Sequence, residues 1–215
     1  MTVNLEIFDA LPLKERLFVR GRLASAPLHE LAARAQGDIL LDVGCGHGAL
    51  IALLAAGRPE RHVVGIDPDA RKIDWARRSV GRWGNVELIA CGVEALAAER
   101  PGAFDTVLVA DVLYLLPTAA WAPFLRAVRE LLKPGARLVL KEAENDGSWR
   151  TKKALWQERL MVRLLRRTHS SGAVGFAPRA ALVQALVQAR FAIEETVGLA
   201  RGYTTPHVLF TARAV

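Results

Sequence analysis

The sequence predicts an α/β domain built on a doubly wound, mainly parallel sheet with helices on both faces. Three observations carry this expectation. Short apolar runs alternate with helix-forming stretches between residues 39 and 142, the order that builds parallel strands joined by crossover helices. The first run, 39–43, stops at glycines 44, 46 and 48, and a helix-forming stretch, 49–56, begins at once. The second run, 61–66, ends in Asp67, about 20 residues beyond those glycines, where such folds place an acid for a ribose.

Strand, glycine turn and helix together make a binding loop. Glycines take positive φ and let backbone N–H groups approach a ligand, and the helix start adds partial positive charge. Gly44, Gly46 and Ala49 fit the loose dinucleotide spacing, so at this point a nicotinamide-dependent reductase is as open as any other nucleotide-like ligand.

The 215 residues, 52% hydrophobic and 24% charged, suit one domain with a full core and exclude a disordered chain. No apolar run approaches the roughly 20 residues that span a bilayer, and the first residues lack a signal-peptide pattern, so the expectation is a cytoplasmic protein. Cys45 and Cys91 follow strands that are not neighbours in a doubly wound sheet, which argues against a disulfide and against a metal site. A net charge of +7 favours an anionic partner or simply a solvated surface.

In chain order, stretches 11–24 and 27–35 read as helices, with Pro27 suited to a first turn and Arg20 and Arg22 able to reach a carboxylate. After Asp67-Pro68, Asp69 is placed to cap a helix over 70–78. A third strand, 86–90, leads into Cys91-Gly92-Val93-Glu94. A fourth, 104–110, leads into Asp111-Val112-Leu113-Tyr114, where strand ends of an open α/β sheet face a ligand crevice; Tyr114 reads equally as a core aromatic. Helix 119–132, a turn at Lys133-Pro134-Gly135 and strand 137–142 follow. Residues 151–167 form an amphipathic helix with Lys152, Lys153, Arg159, Arg163, Arg166 and Arg167 on one side, suited to a lid, a membrane surface or RNA. His169 lies in the loop after it, helix 176–189 starts around Pro178, and strands 191–195 and 207–212 flank a loop holding Tyr203 and His207.

Leu41-Asp42-Val43-Gly44-Cys45-Gly46-His47-Gly48 resembles the first motif of class I S-adenosylmethionine (SAM)-dependent methyltransferases. Asp67, the Phe104-Asp105 strand with Asp111-Val112-Leu113-Tyr114, and Leu132-Lys133-Pro134-Gly135 occur in that family's order and intervals, over about residues 38–142. The resemblance implies a seven-stranded Rossmann-like sheet whose last strand is antiparallel. It implies a single domain in four parts: cap helices 1–36, a SAM-binding core 37–142, an inserted basic lid 143–176, and a C-terminal helix with two strands 177–215. It also implies SAM as cofactor, S-adenosylhomocysteine (SAH) as product, and a site of Asp42, Gly44, Cys45, Gly46, Gly48, Asp67, Pro68, Gly92, Val93, Glu94, Asp111, Val112 and Tyr114. The family's third turn commonly carries an aspartate for the adenine amino group, and here Gly92 stands there, leaving the Val93 backbone or the Glu94 carboxylate as substitutes. His47 is expected to face cofactor or solvent.

Methyl transfer from a sulfonium needs in-line positioning, and a base only where the acceptor must lose a proton. His169 and His207 are the candidate bases, with Tyr203 to orient. The fourth strand ends without the Asn/Asp-Pro-Pro-Tyr/Phe pattern of many nucleic-acid amino-methylating enzymes. The expected acceptor is therefore a small or lipid-like molecule, methylated at O or N, and not DNA. A tRNA or rRNA methyltransferase using the basic surface is the alternative, followed by a non-catalytic partner subunit or a reductase.

Overall fold

The computed structural model describes residues 4–144, 178–199, 203 and 205–215. The predicted basic helix over 151–167 and His169 lie outside the described residues. Two helices open the chain, α1 (Leu13–Ser25) and α2 (Leu28–Arg34), after a short 3-10 turn at Leu5–Phe8. There follow β1 (Ile39–Val43), α3 (Ala49–Gly57), β2 (His62–Ile66), α4 (Ala70–Arg78), β3 (Val86–Ile89), α5 (Val93–Glu99) and β4 (Phe104–Ala110). The chain continues with α6 (Trp121–Leu131), β5 (Leu132–Ala143), α7 (Arg179–Gln188), β6 (Phe191–Leu199) and β7 (His207–Ala214). Asp69 caps α4 as predicted, its carboxylate accepting from the Arg71 N–H.

The strands form one seven-stranded sheet in the order β3-β2-β1-β4-β5-β7-β6. The first five are parallel, and β7 is antiparallel to both β5 and β6. The expected fold class, seven strands with an antiparallel last strand, is what the chain adopts. Chain direction along the sheet reverses between β1 and β4, and the crevice outside the strand ends there is where ligands of open α/β sheets bind.

Alternate strand residues feed two cores. Leu41, Val43, Val107, Val109, Leu138 and Leu140 pack toward α5, α6 and α7. Leu40, Leu108 and Val139 face the other side, where α2, α3 and α4 pack. Helix α3 is buried almost all round, which explains why a run as apolar as Ala-Leu-Ile-Ala-Leu-Leu carries no polar face.

Two differences from the expected elements have local causes. The turn at Lys133-Pro134-Gly135 lies within β5: Phe104 pairs Leu132 and Thr106 pairs Arg137, so the intervening residues bulge, with Gly135 at φ 70°. Lys133 then reaches Asp105 at 2.6 Å, and Asp105 accepts from the backbone N–H groups of Asp38 and Ile39, tying the start of β1 to β4. Strand β6 runs on to Leu199 because β7 continues to pair with it there, although its outer residues show no apolar alternation. Cys45 and Cys91 are both free thiols, as expected.

Candidate functional site

Register brings the strand ends into one line. Asp42 pairs Gly65 and Leu108, Ala110 pairs Lys141, and Ala143 pairs His207. The loops that leave those ends carry Gly44 to Gly48, Asp67-Pro68, Gly92 to Glu94 and Asp111 to Tyr114, so the structure gathers these predicted positions at one edge of the sheet.

The glycine loop needs its glycines. Gly44, Gly46 and Gly48 have φ of 75°, 55° and 84°, where side chains are disfavoured. A Cβ on Gly44 would lie 2.7 Å from Val112 Cγ2, and one on Gly48 would lie 2.6 Å from Val80 Cγ2. At Gly46 a Cβ would meet no atom within 4 Å, so this turn borders open space. The Gly44 and Cys45 N–H groups are anchored on the Ile66 carbonyl, which locks the loop to the end of β2. The Cys45 thiol is buried, and that burial pushes its pKa well up, so it stays protonated.

Asp67 follows β2 and is 4% exposed. Its carboxylate accepts from the Gly46 N–H at 3.2 Å and the Asp69 N–H at 2.9 Å, with Lys72 at 3.7 Å. A carboxylate offers about four lone-pair positions, so two hydroxyls are still accommodated. Pro68 is exposed beside it. Gly92 caps α5, and the Glu94 carboxylate folds back to 3.3 Å from where a Gly92 Cβ would sit. An acid thus stands at this turn although the residue itself is a glycine. Val93 is buried under it.

Asp42, 2% exposed on β1, has an oxygen that is buried without a hydrogen-bond partner. Burial raises its pKa to about 7, Asp67 adds to the rise, and Arg22 opposes it. An acid in this state has a use for a cation.

The densest charge lies after β4. Asp111 takes φ 58°, an uncommon conformation for a side-chain-bearing residue. Fully buried Lys141 holds both of its carboxylate oxygens at 2.6 Å, and Arg22 of α1 reaches it at 3.1 Å while donating to the Ala110 carbonyl at 3.2 Å. Burial works against the ionised acid, but these cations win and hold Asp111 down to about 2. Next to Lys141, the Glu142 carboxylate accepts from the Val112 and Leu113 N–H groups at 2.9 and 2.8 Å and fixes the turn that carries Tyr114. Trp121 closes the same turn by donating to the Leu113 carbonyl at 2.7 Å. Burial and Asp111 push Glu142 up to about 8. Tyr114 is half-buried on this turn.

Lys141, Glu142 and the Arg22–Asp111 pair are contacts at this strand end that sequence reasoning did not assign. The available signal was a Lys-Glu pair closing an otherwise apolar strand. His47 also corrects an expectation. Instead of facing cofactor or solvent it is 7% exposed beneath α1, 2.9 Å from Glu15 and stacked on Trp75 at 4.9 Å, with Phe18 tilted against it. It fastens the cap helix to the glycine loop.

Of the candidate bases, His207 lies near Asp111. It lines a cavity of about 320 Å³ together with Arg22, Asp111, Thr205, Leu17 and Phe18. Tyr203 packs edge-on against it, ring centroids 5.9 Å apart. Among the described residues no cluster of metal-ligating side chains occurs, and no helix is long and apolar enough to cross a membrane.

With this geometry in view, comparison with known proteins is informative. Residues 40–135 match the family model described as a methyltransferase domain. A ubiquinone biosynthesis O-methyltransferase of Xanthomonas euvesicatoria pv. vesicatoria is 37% identical over 105 residues, 48% of this chain and 42% of that protein. The counterpart from Bordetella parapertussis is also 37% identical, over 109 residues, 50% of this chain and 44% of the relative. The chain therefore spans about half the length of the curated relatives it matches. Among solved structures, the pyocyanin biosynthetic protein PhzM shares the fold with a TM-score of 0.71 at 21% identity, over 98% of this chain and 61% of that one. The Burkholderia thailandensis 1,6-didemethyltoxoflavin-N1-methyltransferase, solved with its substrate and SAH, has a TM-score of 0.65 at 18% identity, over 100% of this chain and 92% of that one. Motif, sheet order and relatives agree: residues 40–135 are similar to a methyltransferase domain, on a fold shared with solved methyltransferases.

Proposed function

We propose that this chain transfers the methyl group of SAM to an oxygen or nitrogen of a small-molecule acceptor. The observation that carries the reading is the line of acids Asp42, Asp67, Glu94 and Asp111 along the strand ends, facing a glycine loop held open at positive φ. Such a set suits a ligand with a ribose, an amino-bearing base and a cationic amino-acid end. The curated relatives named above are O-methyltransferases of ubiquinone biosynthesis, which supports a small-molecule acceptor.

In this reading Asp67 accepts from the ribose hydroxyls, and Glu94, with the backbone at Gly92 and Val93, holds the adenine. Asp111 and Asp42 attend the methionine end, where Arg22 offers a counter-charge for its carboxylate. Gly44, Cys45, Gly46 and Gly48 line the turn, Pro68 borders the ribose, and Val112 and Tyr114 wall the methyl side. SAM supplies an already activated methyl on sulfur. The protein's part is to align the acceptor in line with that bond and exclude water, for which α1 acts as a cap fastened at Glu15–His47 and Arg22–Asp111.

Calorimetric titration with SAM, SAH and NADH tests this. Binding of the first two without the third is expected, and binding of NADH alone would return the loop to the reductases. The net charge of +7 and the basic residues between 152 and 167 favour an anionic surface as a second partner. Salt-sensitive retention on anionic but not neutral vesicles is the expected result, and competition by RNA separates the two kinds of surface.

A further inference from the structure

Helix α1 runs unbroken through a glycine at position 21. Glycine is among the least favourable residues in a helix interior, and one found there usually has a local reason. Neither of the common reasons applies to Gly21. Its φ is not positive, and a Cβ built on it would meet no atom within 4 Å, so neither backbone conformation nor close packing calls for glycine. What Gly21 borders is the cavity of about 320 Å³, where α1 contributes Leu17, Phe18, Gly21, Arg22 and Ser25 to the wall. Gly44, Gly46, Asp67 and Glu94 do not line this cavity, which meets the proposed cofactor side at Asp111 and Arg22. Resting on the methyl-transfer reading, we infer that the bare helix surface at Gly21 is the size filter of the acceptor pocket and admits a bicyclic acceptor, its two fused rings lying against α1.

Volume and lining set that class. An apolar cavity of about 150 Å³ holds one benzene ring, so a cavity of about 320 Å³ has room for two fused rings. Leu17 and Phe18 line it while keeping 58% and 42% of their surface exposed, apolar area that a flat ring system covers. His207, more than nine-tenths buried in the same lining, has an Nδ1 without a hydrogen-bond partner, so the cavity is not purely apolar. A side chain at position 21 would enter this space from the α1 wall. With only hydrogen there, the helix backbone itself is the wall, and the ligand gains the width of the missing side chain.

Substitution at Gly21 does not threaten the fold, because nothing stands in the way of a side chain and the helix gains from one. The full-length wild type, Gly21→Ala and Gly21→Leu, each with SAH bound, are titrated calorimetrically with 4-hydroxypyridine and 4-hydroxyquinoline. These probes present the same oxygen and ring nitrogen on one ring and on two. Wild type is expected to bind the two-ring probe more tightly. Gly21→Ala should weaken that probe several-fold and Gly21→Leu by about tenfold or more, while the one-ring probe changes by less than about twofold. SAH affinity and melting temperature should not fall in either variant. Equal losses for both probes, no loss in Gly21→Leu, a matching loss of SAH affinity, or no saturable binding of the two-ring probe to wild type would each overturn the inference. Failure of the wild type to bind SAH would instead remove the methyltransferase reading on which it rests.

Discussion

Replacing Glu142 by glutamine isolates the energetic state of the acid behind the site. In the folded chain its carboxyl holds a proton up to about pH 8, because burial and Asp111 outweigh the two backbone N–H donors and Lys141; the ordinary value of 4.5 applies once the chain unfolds. A folded-state pKa above the unfolded one means that stability is complete below about 4.5 and is lost as pH rises toward about 8, with no further loss above it. The limiting slope is about 1.4 kcal/mol per pH unit, so the window has a ceiling of roughly 4 to 5 kcal/mol. Real interiors screen more than a dry one, and about 2 kcal/mol is the expected change. Glutamine keeps an oxygen for the Val112 and Leu113 N–H groups but puts an amide where Glu142 Oε2 has no partner, which costs about 1 kcal/mol at low pH. Urea unfolding at a series of pH values should therefore show Glu142→Gln slightly less stable than wild type near pH 5 and more stable at pH 8 and above. A difference that stays constant across the window would refute the assignment of a protonated Glu142.

Three further outcomes are expected. Asp67→Ala should weaken SAH binding by about 1 to 3 kcal/mol in calorimetry, the loss of a charged hydrogen-bond partner, and Asp67→Asn keeps an acceptor for only one of the Gly46 and Asp69 N–H groups, which donate to different oxygens. SAM is cationic, so it favours ionised Asp42, and its affinity should fall as pH drops through about 7, by up to about tenfold per unit, a dependence that Asp42→Asn flattens. Lys141→Met leaves buried Asp111 with Arg22 alone and should lower the unfolding free energy by about 3 kcal/mol, whereas a neutral result would show that Arg22 suffices.

The elements read most accurately from sequence are those whose limits are set by neighbours in the chain. Helix Ala70–Arg78 starts at its own cap and strand Phe104–Ala110 ends in the apolar run 107–110, and both were legible at full length. The glycine loop was legible for the same reason, since alternate glycines state their own backbone conformation. Lys141 and Glu142 were not, because their importance comes from register. Only the pairing of Ala110 with Lys141 sets that ammonium against Asp111. Arg22 was marked as able to reach a carboxylate, but its partner, Asp111, lies far along the chain. His47 misled because its position in the loop says nothing of a helix closing above it; Glu15 and Trp75, distant in sequence, decide its burial.

The place of β7 in the sheet has a consequence for how the molecule assembles. Among the described residues, strand β6 pairs only with β7, and β7 is its bridge to β5, so the two must join the rest of the sheet as a unit. Until they do, Lys141 and Glu142 sit on an open strand edge and the cavity lacks the wall that His207 provides. Such long-range pairing is slow to form. Pulse-labelling amide hydrogen exchange during refolding should then show protection across β5 and β7 arriving after protection of β1 to β4. A chain that has reached the first state but not the second would have the glycine loop in place and no wall opposite Asp111.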